Sequence, residues 1–499
     1  MIQAALIALI AFLAYMGDAL GYSQYDRPLC TGVLVGIALN DVQQGLMVGA
    51  SLELVYMGTL TIGGAFPPDI YTGGILGTAF AITTGSGIEG AVALSLPIAT
   101  FALLIKQVIY TFVRGFFVHR ADSYALQGND SKVAAMHVWS TLAYCVPMAI
   151  VVGICFYVGG PAVQAVLDQI PAFIMKGLSA ASGMLPALGF AMLVKMIISK
   201  ELAPYFFIGF LIASYLQIPV LGIACIAILI ALLVIMNDRK KTMWRWEVWM
   251  IMNSNSVEKK LTKKDLKQVF VRSIAYNSSF NYERQLNLGW AFSLMPVLRK
   301  LYKDDEEQMK AALARHLEFN NITPFICTVL FGITAAMEEQ NANDRDFDTE
   351  SINAVKVGLM GPLSAIGDSI FLGTLRVIAA SLGCSLALKG NILGPIIYLL
   401  IFNIPNFASR YFLMYKGYEL GTSFLNKVEE SGIMDKIFKG AGILGLMVIG
   451  GMVATNVSVP LTVAYDDVKI LDTINGVMPN LLPLCFTGLI FYFLKRILR

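Results

Sequence analysis

Gly21–Ala81 reads GYSQYDRPLCTGVLVGIALNDVQQGLMVGASLELVYMGTLTIGGAFPPDIYTGGILGTAFA, and it decides the kind of fold to expect. Glycines at 32, 36, 45, 49, 58, 63, 64, 73, 74 and 77 let helix backbones approach closely and let helices unwind. Pro67-Pro68 stops any helix that reaches it. So apolar a run, broken this way, predicts half-helices and re-entrant hairpins. Such backbone survives at membrane depth only where protein or a polar cavity covers it.

The rest of the chain agrees. Its 499 residues are 57% hydrophobic and 14% charged, with a mean hydropathy of +0.67, where soluble domains carry about 25% charged residues. Apolar stretches recur at Met1–Tyr15, Ala91–Ile105, Thr141–Val158, Tyr205–Met236, Ile443–Ala454 and Leu481–Leu494. At roughly 20 residues per crossing, the chain supplies about 11 to 14 spans. The start, MIQAALIALIAFLAYMGDALGY, lacks a basic n-region and reads as a retained first helix. The net charge of +3 gives no reason to expect nucleic acid. Seven cysteines stand singly inside apolar runs, without metal-ligand spacing, and read as small core residues. The expected class is an all-α integral membrane protein made of two related multi-helix halves with broken helices, re-entrant hairpins and amphipathic arms.

Composition breaks once. From Asn237 to Arg272 ten basic residues stand beside four acidic ones, next to Trp244, Trp246 and Trp249, which marks a cytoplasmic segment. The division is therefore 1–236, a basic cytoplasmic linker 237–261, and 262–499. Lys495, Arg496 and Arg499 put the C-terminus on the same side. Glu338–Glu350 (EEQNANDRDFDTE) reads as a loop in water. Leu301–Phe319 (LYKDDEEQMKAALARHLEF), acidic first and basic last, predicts an amphipathic helix at the membrane surface.

Intramembrane carboxylates mark function by default. Glu53, set in GASLELVYMG, reads as a hydroxyl acceptor or proton-coupling group, or else as a structural carboxylate. Asp69 follows the Pro pair and either caps the next helix or binds substrate. Asp41, after Asn40, favours a cap or loop role, and Gln24, Asp26 and Arg27 stand near one membrane face. Carboxylates and amides together suit uncharged sugars, whose hydroxyls both donate and accept. In the second half, Gly361–Arg376 (GPLSAIGDSIFLGTLR) carries Asp368 and Arg376, read either as a buried ion pair or with Asp368 in a translocation path. His119, His137 and His316 lie outside any phosphate cradle and read as structural, so no catalytic residue, metal or cofactor is expected.

GYSQYDRPL, TGVLVGIALNDVQQG, GASLELVYMG and IGGAFPPDIYTGGILGTAFA together resemble the IIC subunit of the mannose/fructose/sorbose-type phosphotransferase system. KLTKKDLKQVFVRSIAYNSSFNYERQLNLGWAFSLMPVLRKLY, ALARHLEFNNITPF, GITAAMEE and GPLSAIGDSIFLGTLR resemble its IID subunit. These subunits usually occur as separate polypeptides. The resemblance implies a bacterial inner-membrane permease that takes a hexose or hexosamine from outside and reorients it by an elevator-like motion. A cytoplasmic IIB phosphocarrier, charged by IIA, would phosphorylate the sugar, and three copies would assemble in the lipid bilayer. It also implies Gln24, Asp26, Asn40, Asp41, Glu53 and Asp69 as candidate sugar contacts. The rival class is an ion-coupled secondary transporter in which Glu53 and Asp368 titrate. Finally, GMLPALG at Gly183–Gly189 and GPLSAIG at Gly361–Gly367 suggest equivalent broken-helix positions, each following an arm that carries His137 or His316.

Overall fold

A computed structural model describes all residues except 57–67, 160–186, 188–189, 192–193, 195–197, 219, 238–259, 345, 429–432, 458, 460–463, 466–467 and 498–499. Gly58, Gly63, Gly64 and Pro67, the tryptophan-bearing linker, and all of the first glycine motif but Ala187 lie outside the described residues.

The first half is built from α1 (Ile2–Tyr15), α2 (Pro28–Leu39), α3 (Val42–Tyr56), α4 (Ile70–Thr84), α5 (Gly87–Val108), α6 (Arg114–Leu126), α7 (Asp130–Val158), α8 (Ala203–Leu216) and α9 (Val220–Asn237). The second half comprises α10 (Lys263–Ser273), α11 (Asn287–Tyr302), α12 (Glu306–His316), α13 (Cys327–Asn343), α14 (Glu350–Gly367), α15 (Arg376–Ala387), α16 (Leu393–Val428), α17 (Ile433–Asn456), α18 (Ile470–Val477) and α19 (Leu481–Ile497). Among the described residues the only strands are a two-residue pair, Ala464–Tyr465 against Val468–Lys469. Among the described residues four continuous helical stretches are long and apolar enough to span a bilayer: Gly87–Leu126, Asp130–Val158, Glu350–Ala387 and Leu393–Gly421. Seven shorter apolar helices accompany them. Ile150, Ile154, Leu229, Leu233 and Phe412 are exposed on outer faces, as a hydrocarbon solvent allows. For the same reason the core reading fails for Cys225 and Cys485, which are exposed.

The glycines of the opening stretch act where the sequence places them. A Cβ on Gly32 would lie 2.6 Å from the Gly45 carbonyl oxygen, and one on Gly45 would lie 2.5 Å from that of Gly32. Gly32/Gly36 on α2 and Gly45/Gly49 on α3 thus form two small-xxx-small faces in backbone contact.

The halves interlock. The loop between α10 and α11 is clamped from the first half by Arg114, which donates to the carbonyls of Phe280 (2.6 Å) and Ser278 (2.7 Å). His137 Nδ1 lies 2.7 Å from Ser279 Oγ, and its ring stacks on Phe292. Arg284 holds Asp122 through two 2.8 Å bonds. In the other direction, α17 packs against α8 and α9.

Three local expectations change. The acidic 338–350 stretch is not all loop: α13 runs to Asn343, and Glu338 is fully buried. The amphipathic segment splits, because Leu301 and Tyr302 finish α11, and α12 starts afresh with Asp305 accepting from the Gln308 amide. That helix buries Met309, Ala312, Leu313 and His316 against protein, packing on α11 and α6. Gly361–Gly367 lies within continuous helix, and departure from α geometry starts only at Asp368, in a π turn over Asp368–Leu375.

Glu338 explains the first change. It accepts from Arg315 Nε (2.8 Å), Tyr302 Oη (2.6 Å) and His316 Nε2 (2.9 Å). Trp290 Nε1 donates to His316 Nδ1, so the neutral ring carries its proton on Nε2 and gives it to Glu338. Burial keeps His316 neutral, pulling its pKa from 6.5 down to about 4 despite the Glu338 carboxylate. Burial alone would raise Glu338, but His316 and Arg315 overcome it and hold its pKa at about 2, below the usual 4.5. In the sign of the linkage, an unfolded chain binds His316's proton between pH 6.5 and 4 where the folded chain does not, and Glu338's between 4.5 and 2. The contribution of this cluster to the unfolding midpoint of the purified protein is therefore level above pH 6.5 and falls below it. Between pH 6.5 and 4 the unaltered chain is expected to lose more of its midpoint than His316→Gln, and an equal pH dependence of the two chains over that range would contradict the assignment.

Candidate functional site

The segment between α1 and α2 is too short and too polar to be helix throughout. A single 3-10 turn, Gly17–Leu20, gives way to residues in the left-handed region: Gly21 (φ 88°), Tyr22 (φ 55°) and Gln24 (φ 62°). Non-glycine residues held there cost energy and gather at functional sites. The turn delivers Gln24, Asp26 and Arg27 to the N-terminus of α2, all nearly fully buried.

These three line a small cavity of about 40 Å³ together with Tyr22, Asp69, Tyr71, Lys106 and, from the second half, Arg376. A larger cavity of about 110 Å³ shares Tyr22, Tyr71 and Lys106 as its wall and continues to Asp18, Asn321, Thr323, Ser364 and Asp368. At about 10–15 Å³ per water position, the first has room for about three waters and the second for about eight. Buried polar atoms on these walls with no hydrogen-bond partner among the described residues include Gln24 Oε1, Asp26 Oδ1 and Thr323 Oγ1. Buried polar atoms are seldom left so, and an acceptor in want of a donor is what a hydroxyl-bearing ligand satisfies.

The other walls are already organised. Asp69 caps α4: its Oδ2 accepts from Thr72 N (3.1 Å), Thr72 Oγ1 (2.7 Å) and Tyr15 Oη (2.5 Å). Its Oδ1 takes Lys106 Nζ at 3.4 Å. Lys106 also stands 5.6 Å from the ring centres of Tyr71 and Tyr110 and 5.7 Å from that of Tyr144, an aromatic enclosure that suits a buried cation. Asp18 Oδ1 accepts from Asn277 Nδ2 (2.9 Å), a bond between the halves.

The sequence candidates separate into groups. Gln24, Asp26 and Asp69 meet at one cavity, and Arg376 joins them from the second half. Glu53 is buried behind that wall, held by Arg27 Nε (2.9 and 3.2 Å) and Nη2 (2.8 Å). Asn40 and Asp41 stand at the other end of α2, where Asn40 takes φ 62° in the tight turn and Asp41 accepts from the Gln44 amide at 3.0 Å. Asp368 lines the larger cavity and Arg376 the smaller, and no ion pair joins them among the described residues. Reading the sequence missed Lys106, although a lysine inside ALLIKQVIY is an intramembrane charge and was visible as such. It also missed Asn321 and Thr323, which nothing in NNITPF distinguishes from loop residues.

Residues 1–233 match the family model for the phosphotransferase system (PTS) sorbose-specific IIC component, and residues 260–498 match that for the PTS mannose/fructose/sorbose family IID component. The chain is 40% identical over 251 residues to the mannose-specific EIID component of Escherichia coli (strain K12), covering 48% of this chain and 88% of that one. It is 33% identical over 235 residues to the fructose permease IIC component of Bacillus subtilis (strain 168), covering 46% of this chain and 86% of that one. A chain in the cryo-EM structure of the mannose transporter ManYZ with microcin E492 is 38% identical over 48% of this chain and 90% of its own length, at a TM-score of 0.45.

Proposed function

The chain belongs to the mannose/fructose/sorbose family of phosphotransferase-system sugar permeases, with IIC and IID components in one polypeptide, and from that premise we propose that it holds a hexose where its two halves meet. One observation carries the reading: Gln24 Oε1, Asp26 Oδ1 and Thr323 Oγ1 are buried, without protein partners among the described residues, on the walls of adjoining cavities. Sugar hydroxyls would donate to the first two and exchange a bond with the third, while Lys106 and Arg376 supply donors. Asn40 and Asp41 then serve the α2–α3 turn, and Glu53 acts through Arg27.

In this reading 1–236 and 262–499 are the two membrane domains, and the basic 237–261 segment and the C-terminus face the cytoplasm. The chain sits in the bacterial inner membrane as a trimer of fused pairs. A cytoplasmic IIB carrier, charged by IIA, phosphorylates the sugar after reorientation. The added charge makes return through an apolar barrier costly.

Asp26→Ala is expected to raise the mannose Kd of the purified chain by about ten- to a hundredfold, since a hydrogen bond to a charged group contributes about 1.5–3 kcal/mol. Equilibrium binding measures it, and unchanged affinity removes Asp26 from the site. In membrane vesicles, uptake that persists on an ion gradient without phosphoenolpyruvate and IIB would favour a secondary transporter instead.

A further inference from the structure

We propose that Asn403, Asn406 and Arg410 of the second half are positioning residues for sugar recognition, holding the left-handed turn that presents Gln24; this rests on the cavity reading above. The turn does not hold itself. Across Gly21–Gln24 two non-glycine residues occupy the left-handed region, and a free chain would relax from it. What opposes relaxation comes from α16, about 380 residues away. Asn403 Nδ2 donates to the Ser23 carbonyl (2.8 Å), Asn406 Nδ2 to the Gly21 carbonyl (3.1 Å), and Arg410 Nη1 to the same Gly21 oxygen (3.1 Å).

Spacings of three and four residues put these donors on one face of α16. Phe407 lies on that face too, and its ring would stand 2.8 Å from a Cβ placed on Gly21. Arg410 is fully buried, and its Nη2 also donates to the Ser273 carbonyl, which ties the turn to the end of α10. None of the three side chains lines either cavity described above. Their effect on sugar runs through the backbone that aims Gln24, and a contact misplaced by an ångström loses affinity out of proportion to the bond removed. The second half therefore sets sugar selectivity in a site whose foremost contacts belong to the first.

The test is a double-mutant cycle on the purified full chain, read as the Kd for mannose and for glucose, with the unfolding midpoint measured in parallel. Asn403→Ala is expected to weaken mannose binding about tenfold, the loss of roughly one such bond. The mannose-to-glucose affinity ratio should move toward one, with the midpoint nearly unchanged because Asn403 is only half-buried. Gln24→Ala should weaken binding too, and adding Asn403→Ala to it should cost nothing further. Arg410→Lys, which keeps a donor toward Gly21, should retain more affinity than Arg410→Gln. Two effects that add, or an Asn403→Ala chain with unaltered affinity and ratio beside a weakened Gln24→Ala chain, would overturn the positioning role. A Gln24→Ala chain with full affinity would instead bring down the cavity reading, and this proposal with it.

Discussion

Replacing Glu53 with alanine is expected to cost the fold about 3–5 kcal/mol, because it strands the Arg27 guanidinium in a buried position with its main partner gone. The pair is almost wholly sequestered, at 3% and 0% exposure, and Arg27 also donates to the Tyr56 carbonyl at 3.0 Å. Removing both charges is a different matter. Arg27→Leu with Glu53→Leu leaves no stranded ion, and an apolar pair of similar bulk often matches a buried ion pair in stability. Thermal unfolding in detergent should therefore rank the unaltered chain close to the double variant and well above Glu53→Ala. Sugar binding should fail in both variants, since Arg27 lines the cavity. Should Glu53→Ala unfold like the unaltered chain, the pair is dispensable to the fold and Glu53 must be sought at the sugar directly.

The second large effect is expected where α8 meets α17. A Cβ on Gly209 would lie 1.9 Å from the Met447 carbonyl oxygen, and one on Gly450 would lie 2.0 Å from that of Phe206. Both obstacles are backbone, so no side chain can swing aside, and the two helices have to part. Overpacking of this kind costs about 1–3 kcal/mol and more where relief is blocked. Gly209→Ala and Gly450→Ala should each lower the unfolding midpoint strongly, and the pair together by less than the sum, because the first methyl already separates the helices. Gly115→Ala is the control: nothing lies within 4 Å of its Cβ, and alanine is the better helix former. A Gly209→Ala chain as stable as that control would mean the helices are not in contact there.

What sequence revealed and what it hid follow from range. The glycine faces of α2 and α3 were legible because the contact joins residues 13 apart and needs only small side chains at the right spacing. Gln24, Asp26 and Asp69 were legible as polar residues beside helix breaks, and the structure brings all three to the wall of one cavity. Glu338 was misplaced because its neighbours in sequence are polar, whereas its partners Tyr302, Arg315 and His316 arrive from two other helices. The Asp368–Arg376 pair was an inference from spacing, and a π turn between the two residues changes that spacing. The hold of α16 on Gly21 and Ser23 spans the whole chain, and asparagines on an apolar helix announce no particular partner.

That hold has a bearing on biogenesis. Carbonyls of the Gly21–Gln24 turn that accept from α16 would face lipid or a vacant cleft if the first half were inserted alone, and hydrocarbon offers them no donor. Two subunits made separately must find each other in the bilayer before that exposure is relieved, and any imbalance in synthesis leaves orphans. In one polypeptide the encounter becomes intramolecular, at an effective concentration set by the length and stiffness of the connection. Every first half is then followed by its own cover, in a ratio fixed at one to one by translation itself. The joint need not be strong enough to survive dilution, and glycine contacts and backbone hydrogen bonds that would make a poor encounter surface suffice to keep it closed.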